Sequence, residues 1–88
     1  MFRLWAKKFK DNHMICDMVV NNSDSSMTRT KKIFAALDEI CYAFDLSKPI
    51  WLNSTIEGFK KHKKTRFTQD NFIDSIDFDF LEIHIIEE

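Results

Sequence analysis

The sequence predicts a small α+β domain with an N-terminal β-hairpin, one long amphipathic helix, one or two short helices and a C-terminal strand that completes a three-stranded, mainly antiparallel sheet. Two apolar segments flank a turn-prone tetrapeptide near the start, a helical period of apolar residues follows, and an alternating period returns at the end. The chain has 88 residues, 44% of them hydrophobic. That is enough for one two-layered core, so we expect residues 1–88 to form a single domain.

The hairpin is predicted from "FRLWAKKF" (2–9) and "MICDMVV" (14–20), which flank the turn-forming "KDNH". Asp11 and Asn12 tolerate the left-handed backbone of a tight turn better than most residues. A loop centred on them pairs Trp5 with Met18, Lys7 with Cys16 and Phe9 with Met14. The face expected to meet the core is then Trp5, Phe9, Met14, Cys16, Met18 and Val20.

The long helix is predicted after the polar connector "NNSDSS" (21–26), which offers several N-caps. Its apolar stripe recurs at helical spacing and consists of Ile33, Phe34, Leu37, Ile40, Cys41 and Phe44. The helix should end before Pro49, because proline cannot continue the hydrogen-bond ladder. Cys16 and Cys41 form no CxxC motif, so we expect both to be small buried hydrophobic residues.

Two shorter helices are predicted in the second half of the chain. One should start at Asn53 or Ser54, since Ser54 and Glu57 have the spacing of a capping box, and it should fray near Lys64. The other would be capped by Thr68 and run through Ile76.

The last strand is predicted from "DFDFLEIHII" (77–86), which contains neither glycine nor proline and should lie beside the first strand. Its apolar residues alternate in two phases, which indicates a strand with both faces covered or a strand with a bulge. One face holds Leu81, Ile83 and Ile85, and the other holds Phe78, Phe80, His84 and Ile86.

An interaction surface follows from this second face. If the helices cover the first face, the opposite side of the sheet exposes a candidate interaction surface of Phe2, Leu4, Phe78, Phe80 and Ile86. An apolar patch of that size is seldom left in contact with water. We therefore expect a small non-enzymatic module that binds a protein partner or a second copy of itself as a homodimer, without any cofactor.

The alternative function is nucleic-acid association through the basic segment 60–66, in which Lys60, Lys61, Lys63, Lys64 and Arg66 occur without an acid. The net charge of −1 means that only such a local patch could attract a polyanion. Consecutive lysines point around more than a full helical turn, however, and lysines at a helix C-terminus also complement the helix dipole. No RNP-like, GXXG or recognition-helix pattern accompanies them.

Enzyme chemistry has little support in the sequence. Asp77 and Asp79 would share a strand face and could bind Mg²⁺, but acidic residues at a strand start are more often structural. His13, His62 and His84 lack the spacing of a zinc site, and the single glycine excludes a glycine-rich nucleotide loop. A metal-dependent enzyme therefore remains the third hypothesis.

The segments "FDLSKPIW", "HKKTRFTQDNFI" and "IDFDFLEIHIIEE" resemble those of a group of short, uncharacterised bacterial proteins. The resemblance implies a bacterial cytoplasmic protein and assigns no role to any residue. The sequence also contains no secretory signal or membrane-spanning segment, which makes the cytoplasm the expected location.

Overall fold

The computed structural model describes residues 1–88 and confirms the α+β class and the N-terminal hairpin. Its elements, in chain order, are β1 (Phe2–Lys10), β2 (His13–Asn22), α1 (Arg29–Ala43), α2 (Asn53–His62), β3 (Lys64–Phe67) and β4 (Phe80–Glu87). The sheet has four strands rather than the predicted three, in the order β2-β1-β4-β3, and all neighbours are antiparallel. No helix has the length and apolar composition needed to cross a membrane.

The hairpin turn is the one that the sequence predicts. Asp11 and Asn12 both have positive φ angles, of 53° and 66°, as in a two-residue type I′ turn. Next to the turn Phe9 pairs with Met14 as predicted, but Ile15 has no partner in β1, and from there on the pairing is shifted by one residue. The extra residue is a β-bulge.

The bulge decides which face of β1 meets the core. Trp5 pairs with Val19 and Lys7 with Asp17, instead of the predicted Met18 and Cys16. Met18 and Val20 do face the core as predicted, but they lie beside Ala6 and Leu4. The prediction that Trp5, Phe9 and Met14 point into the core is therefore wrong, because one added residue exchanges the two faces of a strand relative to its neighbour.

The helices cover one face of the sheet and form the core with it. From the sheet, the buried hydrophobic side chains are Phe2, Leu4, Ala6, Val20, Phe67, Leu81, Ile83 and Ile85. From the helices, they are Ile33, Ala36, Leu37, Ile40, Cys41 and Phe59. Burial raises the pKa of the Cys41 thiol, with the nearby Asp38 carboxylate adding to the effect. Cys16 is free as well, but it is only half-buried.

Helix α1 is capped by Thr28, whose hydroxyl accepts a hydrogen bond from the Lys31 amide at 3.2 Å. It ends at Ala43, several residues before Pro49, and Asp45 follows with a φ of 55°. That left-handed residue lets the Leu46 amide donate to the Cys41 carbonyl at 2.8 Å, which closes the last turn.

Helix α2 starts at Asn53, one of the two predicted positions, but the predicted Ser54–Glu57 capping box does not form, since Leu52 is the N-cap and no side chain caps the helix. The helix ends at His62, because Lys63 adopts a left-handed conformation with φ 57°. The next residues, where the sequence predicts a fraying helix end, form the edge strand β3. The predicted helix from Thr68 to Ile76 is wrong, since only a single 3-10 turn forms at Gln69–Asn71.

Candidate interaction surface

One face of the sheet carries no helix, and we call it the open face. Its side chains form rows across neighbouring strands, because every pair of strands is antiparallel and aligned. One row contains Val19, Trp5, His84 and Lys64, and the next contains Asp17, Lys7, Glu82 and Arg66. A third row, beside the hairpin turn, contains Met14, Phe9 and Phe80.

The second row alternates in charge from one edge of the sheet to the other. The Lys7 ammonium nitrogen lies 2.8 Å from Glu82 Oε2, and Arg66 Nε donates to Glu82 Oε1 at 3.2 Å. These two side chains leave Glu82 only 6% exposed although no helix covers it. Cross-strand pairs of opposite charge stabilise a sheet, so this row helps to fix the register of β1, β4 and β3.

Two titratable groups on the open face have shifted pKa values. Desolvation alone would raise the pKa of Glu82, but the hydrogen bonds and charges of Lys7 and Arg66 outweigh it and lower the pKa below its usual value. For His84, desolvation lowers the pKa, and the positive charges of Lys7 and Lys64 lower it further. Both groups therefore favour the fold at neutral pH over acidic pH.

We expect stability to fall in two stages on acidification. His84 has its folded pKa below its unfolded value of about 6.5, so the unfolded chain takes up this proton first and stability falls as the pH drops below about 6.5. Glu82 stabilises the fold above its unfolded pKa, near 4.3, and this stabilisation is lost as the pH falls through the lower folded value. Urea unfolding across pH 7.5 to 3 measures both stages.

His84→Gln should remove the first stage, which we expect to be below about 1 kcal/mol because the ring is partly solvated. His62→Gln is the matched control, because His62 is exposed at the end of α2. Glu82→Gln should reduce the second stage. The part of that stage that comes from Glu88, whose pKa is lowered by its hydrogen bond to Lys63, should remain. A first stage of equal size in both histidine variants would contradict the assignment to His84.

Aromatic rings on the open face are already covered by cations. Lys7 Nζ lies 4.0 Å from the centre of the Trp5 ring, and the Arg66 guanidinium carbon lies 4.4 Å from that of Phe80. Phe9 stacks on Phe80 with ring centres 4.9 Å apart, and Trp5 Nε1 donates to Asp17 Oδ2 at 2.8 Å. The middle of the open face is therefore internally paired, which leaves little free aromatic surface for stacking on bases.

Of the predicted interaction surface, Phe80 and Ile86 do lie outside the helix-covered core. Phe80 is half-buried, and Ile86, at a second bulge in β4, is 43% exposed. The prediction is wrong for Phe2, Leu4 and Phe78, which are 3%, 0% and 6% exposed. Phe2 and Leu4 lie on the helix-covered face of the sheet, because the β2 bulge shifts the pairing of β1 with β2 by one residue. Phe78 precedes β4 and packs edge-on against Phe72, with ring centres 6.1 Å apart.

The structure disperses the basic segment rather than forming one patch. Lys60 and Lys61 lie on the last turn of α2, and Lys63 follows the helix and pairs with Glu88 at 2.7 Å. Lys64 and Arg66 project from β3 onto the open face, where Arg66 pairs with Glu82. Two of the five cations are thus neutralised by carboxylates of the same chain.

Asp79 has a structural contact, since its carboxylate accepts a hydrogen bond from the Asp11 amide in the hairpin turn at 2.8 Å. Asp77 is exposed and lines a pocket together with Asp45 and Asp74. No group of three or more histidine, cysteine or acidic side chains is arranged to hold a metal ion.

The feature that sequence reasoning missed is the outer edge of β2. Apart from Ile86 of β4, the exposed large apolar side chains of the sheet lie on β2, where Met14, Ile15 and Val19 are 47%, 50% and 43% exposed. The alternation of "MICDMVV" indicates a strand, but only the sheet order shows that this strand has a neighbour on one side alone.

Comparisons of the chain with family models, with curated proteins and with solved structures find no match.

Proposed function

We propose that the protein is a small non-enzymatic module that binds a second copy of itself through strand β2. The observation that supports this proposal is the length and chemistry of that edge. β2 has ten residues, its N–H and C=O groups face a neighbour on only one side, and Asp17 is its only acidic or basic residue apart from His13. An edge of this kind is a template for another strand.

The other edge of the sheet provides an internal comparison. β3 has only four residues, and its two open-face side chains are Lys64 and Arg66. Short length and basic side chains are the usual ways in which proteins keep sheet edges from pairing. β2 has neither, and its bulge at Ile15 leaves Cys16–Asn22 regular. β3 is therefore protected against pairing with another strand, whereas β2 is free to pair with one.

The charge pattern of β2 disfavours one register of the dimer and is compatible with the register that we propose. Two antiparallel β2 strands related by a two-fold axis at Val19 would place Val19 opposite its own copy and Asp17 opposite the copy of Asn21. An axis at Asp17 would instead bring two carboxylates together, which destabilises a sheet. The Val19 register joins the two four-stranded sheets into one continuous sheet of eight strands.

Val19→Lys should abolish the dimer, because a cation at the two-fold axis meets its own copy. A seven-residue strand pair buries less surface than a standard interface, so we expect a dissociation constant on the order of micromolar for the unmodified protein. Light scattering after size-exclusion chromatography measures the mass across this range. Ile73→Lys is the matched control, since Ile73 is 85% exposed outside the sheet and should leave the dimer intact.

Disulfide cross-linking tests the register of the dimer separately. In a Cys16→Ser background, Val19→Cys should form an intermolecular disulfide on mild oxidation, because directly opposite residues of antiparallel strands are within disulfide range. Ile73→Cys should not. A protein that stays monomeric at several hundred micromolar would overturn the proposal, whereas a dimer insensitive to Val19→Lys would place the interface elsewhere.

Nucleic-acid association through Lys60, Lys61, Lys63, Lys64 and Arg66 is the competing outcome. It would appear as binding of a fluorescent oligonucleotide that weakens steeply with salt and is lost when these side chains are neutralised. The strand-pairing proposal expects no such binding and a dimer that is little affected by salt.

A further inference from the structure

A second feature lies on the opposite side of the molecule, between the two helices. There the first turns of α1 and the part of α2 from Ile56 to Lys60 line an open groove with a volume of about 300 Å³. Its apolar lining consists of Ile33, Phe34, Trp51, Ile56 and Phe59, and its polar lining consists of Arg29, Thr30 and Lys60. The volume is at the small end of the range found for ligand sites.

Trp51 occupies the connector between the helices and is fixed by three aromatic neighbours. Its ring centre lies 5.1 Å from that of Phe67, 5.6 Å from that of Phe59 and 6.2 Å from that of Phe34. Phe67 and Phe59 are buried and hold the indole in place, but Phe34 is 50% exposed on the groove side. The groove therefore has a preformed apolar wall that solvent can reach.

The polar lining has one sign of charge. No carboxylate lines the groove, whereas Arg29 and Lys60 both do. Arg29 Nε is paired with Glu88 Oε1 at 2.5 Å, so part of its charge is compensated. Lys60 forms no ion pair, although its neighbours Lys63 and Arg66 do. An apolar groove beside an unpaired ammonium group is complementary to an amphipathic anion.

We propose that this groove binds a small amphipathic monocarboxylate, in which a hydrocarbon chain lies against Trp51, Phe34 and Ile56 and the carboxylate pairs with Lys60. The hydrocarbon provides most of the affinity through burial against these side chains, and the cation selects the acid over an uncharged chain of the same length. The groove is on the helical layer and shares no residue with β2. The proposal is thus independent of dimer formation.

Decanoate is a suitable probe, used below the concentration at which it forms micelles. In a Trp5→Phe variant, Trp51 is the only tryptophan, and its fluorescence should change saturably as decanoate fills the groove. Each methylene removed from the chain should weaken binding up to about fourfold, until the shorter acid no longer reaches across the groove. Decanol, which has the same chain without the charge, should bind at least twofold more weakly.

Two matched pairs of variants test the assignment to this groove. Lys60→Gln should weaken decanoate binding about two- to fivefold and leave decanol unchanged, while Lys61→Gln, one residue away and outside the lining, should affect neither. Phe34→Ala should weaken both ligands at least fivefold. Tyr42→Ala is its control, because Tyr42 is 91% exposed on the same helix and does not line the groove.

Three results would overturn the proposal: no saturable change up to millimolar decanoate, equal binding of decanol, or equal effects of Lys60→Gln and Lys61→Gln. Calorimetric titration of the Val19→Lys protein separates this site from the dimer interface. Binding retained in a monomeric variant supports the groove whatever the oligomeric state, and loss of binding there would contradict its independence from β2.

Discussion

Phe67→Ala is expected to lower the free energy of unfolding by about 3–5 kcal/mol, the usual cost of truncating a buried phenylalanine. Phe67 is fully buried, points into the core from β3 and meets Trp51 edge-on. Its loss leaves a cavity beneath Trp51 and removes the main apolar anchor of a strand that has only four residues. For a domain of this size the melting temperature should fall by about 15–30 °C.

Thermal unfolding monitored by circular dichroism checks this expectation. Arg66→Ala is the matched control on the same strand. It removes one of the two partners of the buried Glu82 carboxylate, which keeps Lys7, and a cation–π contact from the open face, and should cost about 1–2 kcal/mol. If both variants lost similar stability, β3 would not be inserted into the core as described.

Asn71→Ala is expected to have the second largest effect, a loss of about 2–4 kcal/mol. The Asn71 amide nitrogen donates to the Ile50 carbonyl at 2.8 Å and to Thr55 Oγ1 at 2.9 Å, and its oxygen accepts from the Thr68 amide at 3.0 Å. The side chain is buried, so alanine would leave several polar groups without partners in the protein interior. The 3-10 turn would then lose its connection to α2.

Asn71→Asp keeps the shape but replaces the two donor hydrogens with an acceptor, so it should cost at least as much as alanine at neutral pH. Protonation of the new carboxyl restores one donor. The deficit of this variant relative to the parent should therefore shrink as the pH falls toward 4. Asp70→Ala, at the exposed neighbouring position, is the control and should be nearly neutral in denaturant unfolding. A comparable loss in both variants would show that the turn, not the side chain, matters.

The hairpin turn and the long periodic segments could be predicted from the sequence, because residues close together in the chain determine them. The Asp11-Asn12 turn, the buried stripe of α1 and the start of α2 at Asn53 all depend on residues that are close together in the chain. β4 was also recognised, because it is a strong alternating segment with Leu81, Ile83 and Ile85 on one face. These elements place most of the core.

The register of the hairpin could not be predicted in the same way. Little in "MICD" distinguishes a regular strand from one with an extra residue at Ile15, since Met14, Ile15 and Cys16 are all apolar. With the bulge in place, the β1 face opposite the helices carries Lys7, which pairs with Glu82 of β4. Assigning Phe2 and Leu4 to an exposed surface followed from missing that single residue.

β3 was missed because its signal is short and ambiguous. In "KKTRF" the buried Thr65 and Phe67 alternate with Lys64 and Arg66, but two periods are too few to outweigh a helical interpretation of a lysine run. The left-handed turn at Lys63, a non-glycine residue, gives no recognisable stop signal. The edge position of β2 depends on sheet order, which only long-range pairing determines.

The central pair of the sheet, β1 with β4, joins segments from opposite ends of the chain, with Arg3 opposite Glu87. Closing so long a loop costs entropy before any contact compensates for it, so folding should be slow for a protein of this length. Until β4 arrives, the β1–β2 hairpin has two open sides and an unsheltered apolar face. During synthesis on the ribosome, the chain would therefore remain exposed to aggregation until its final strand has emerged.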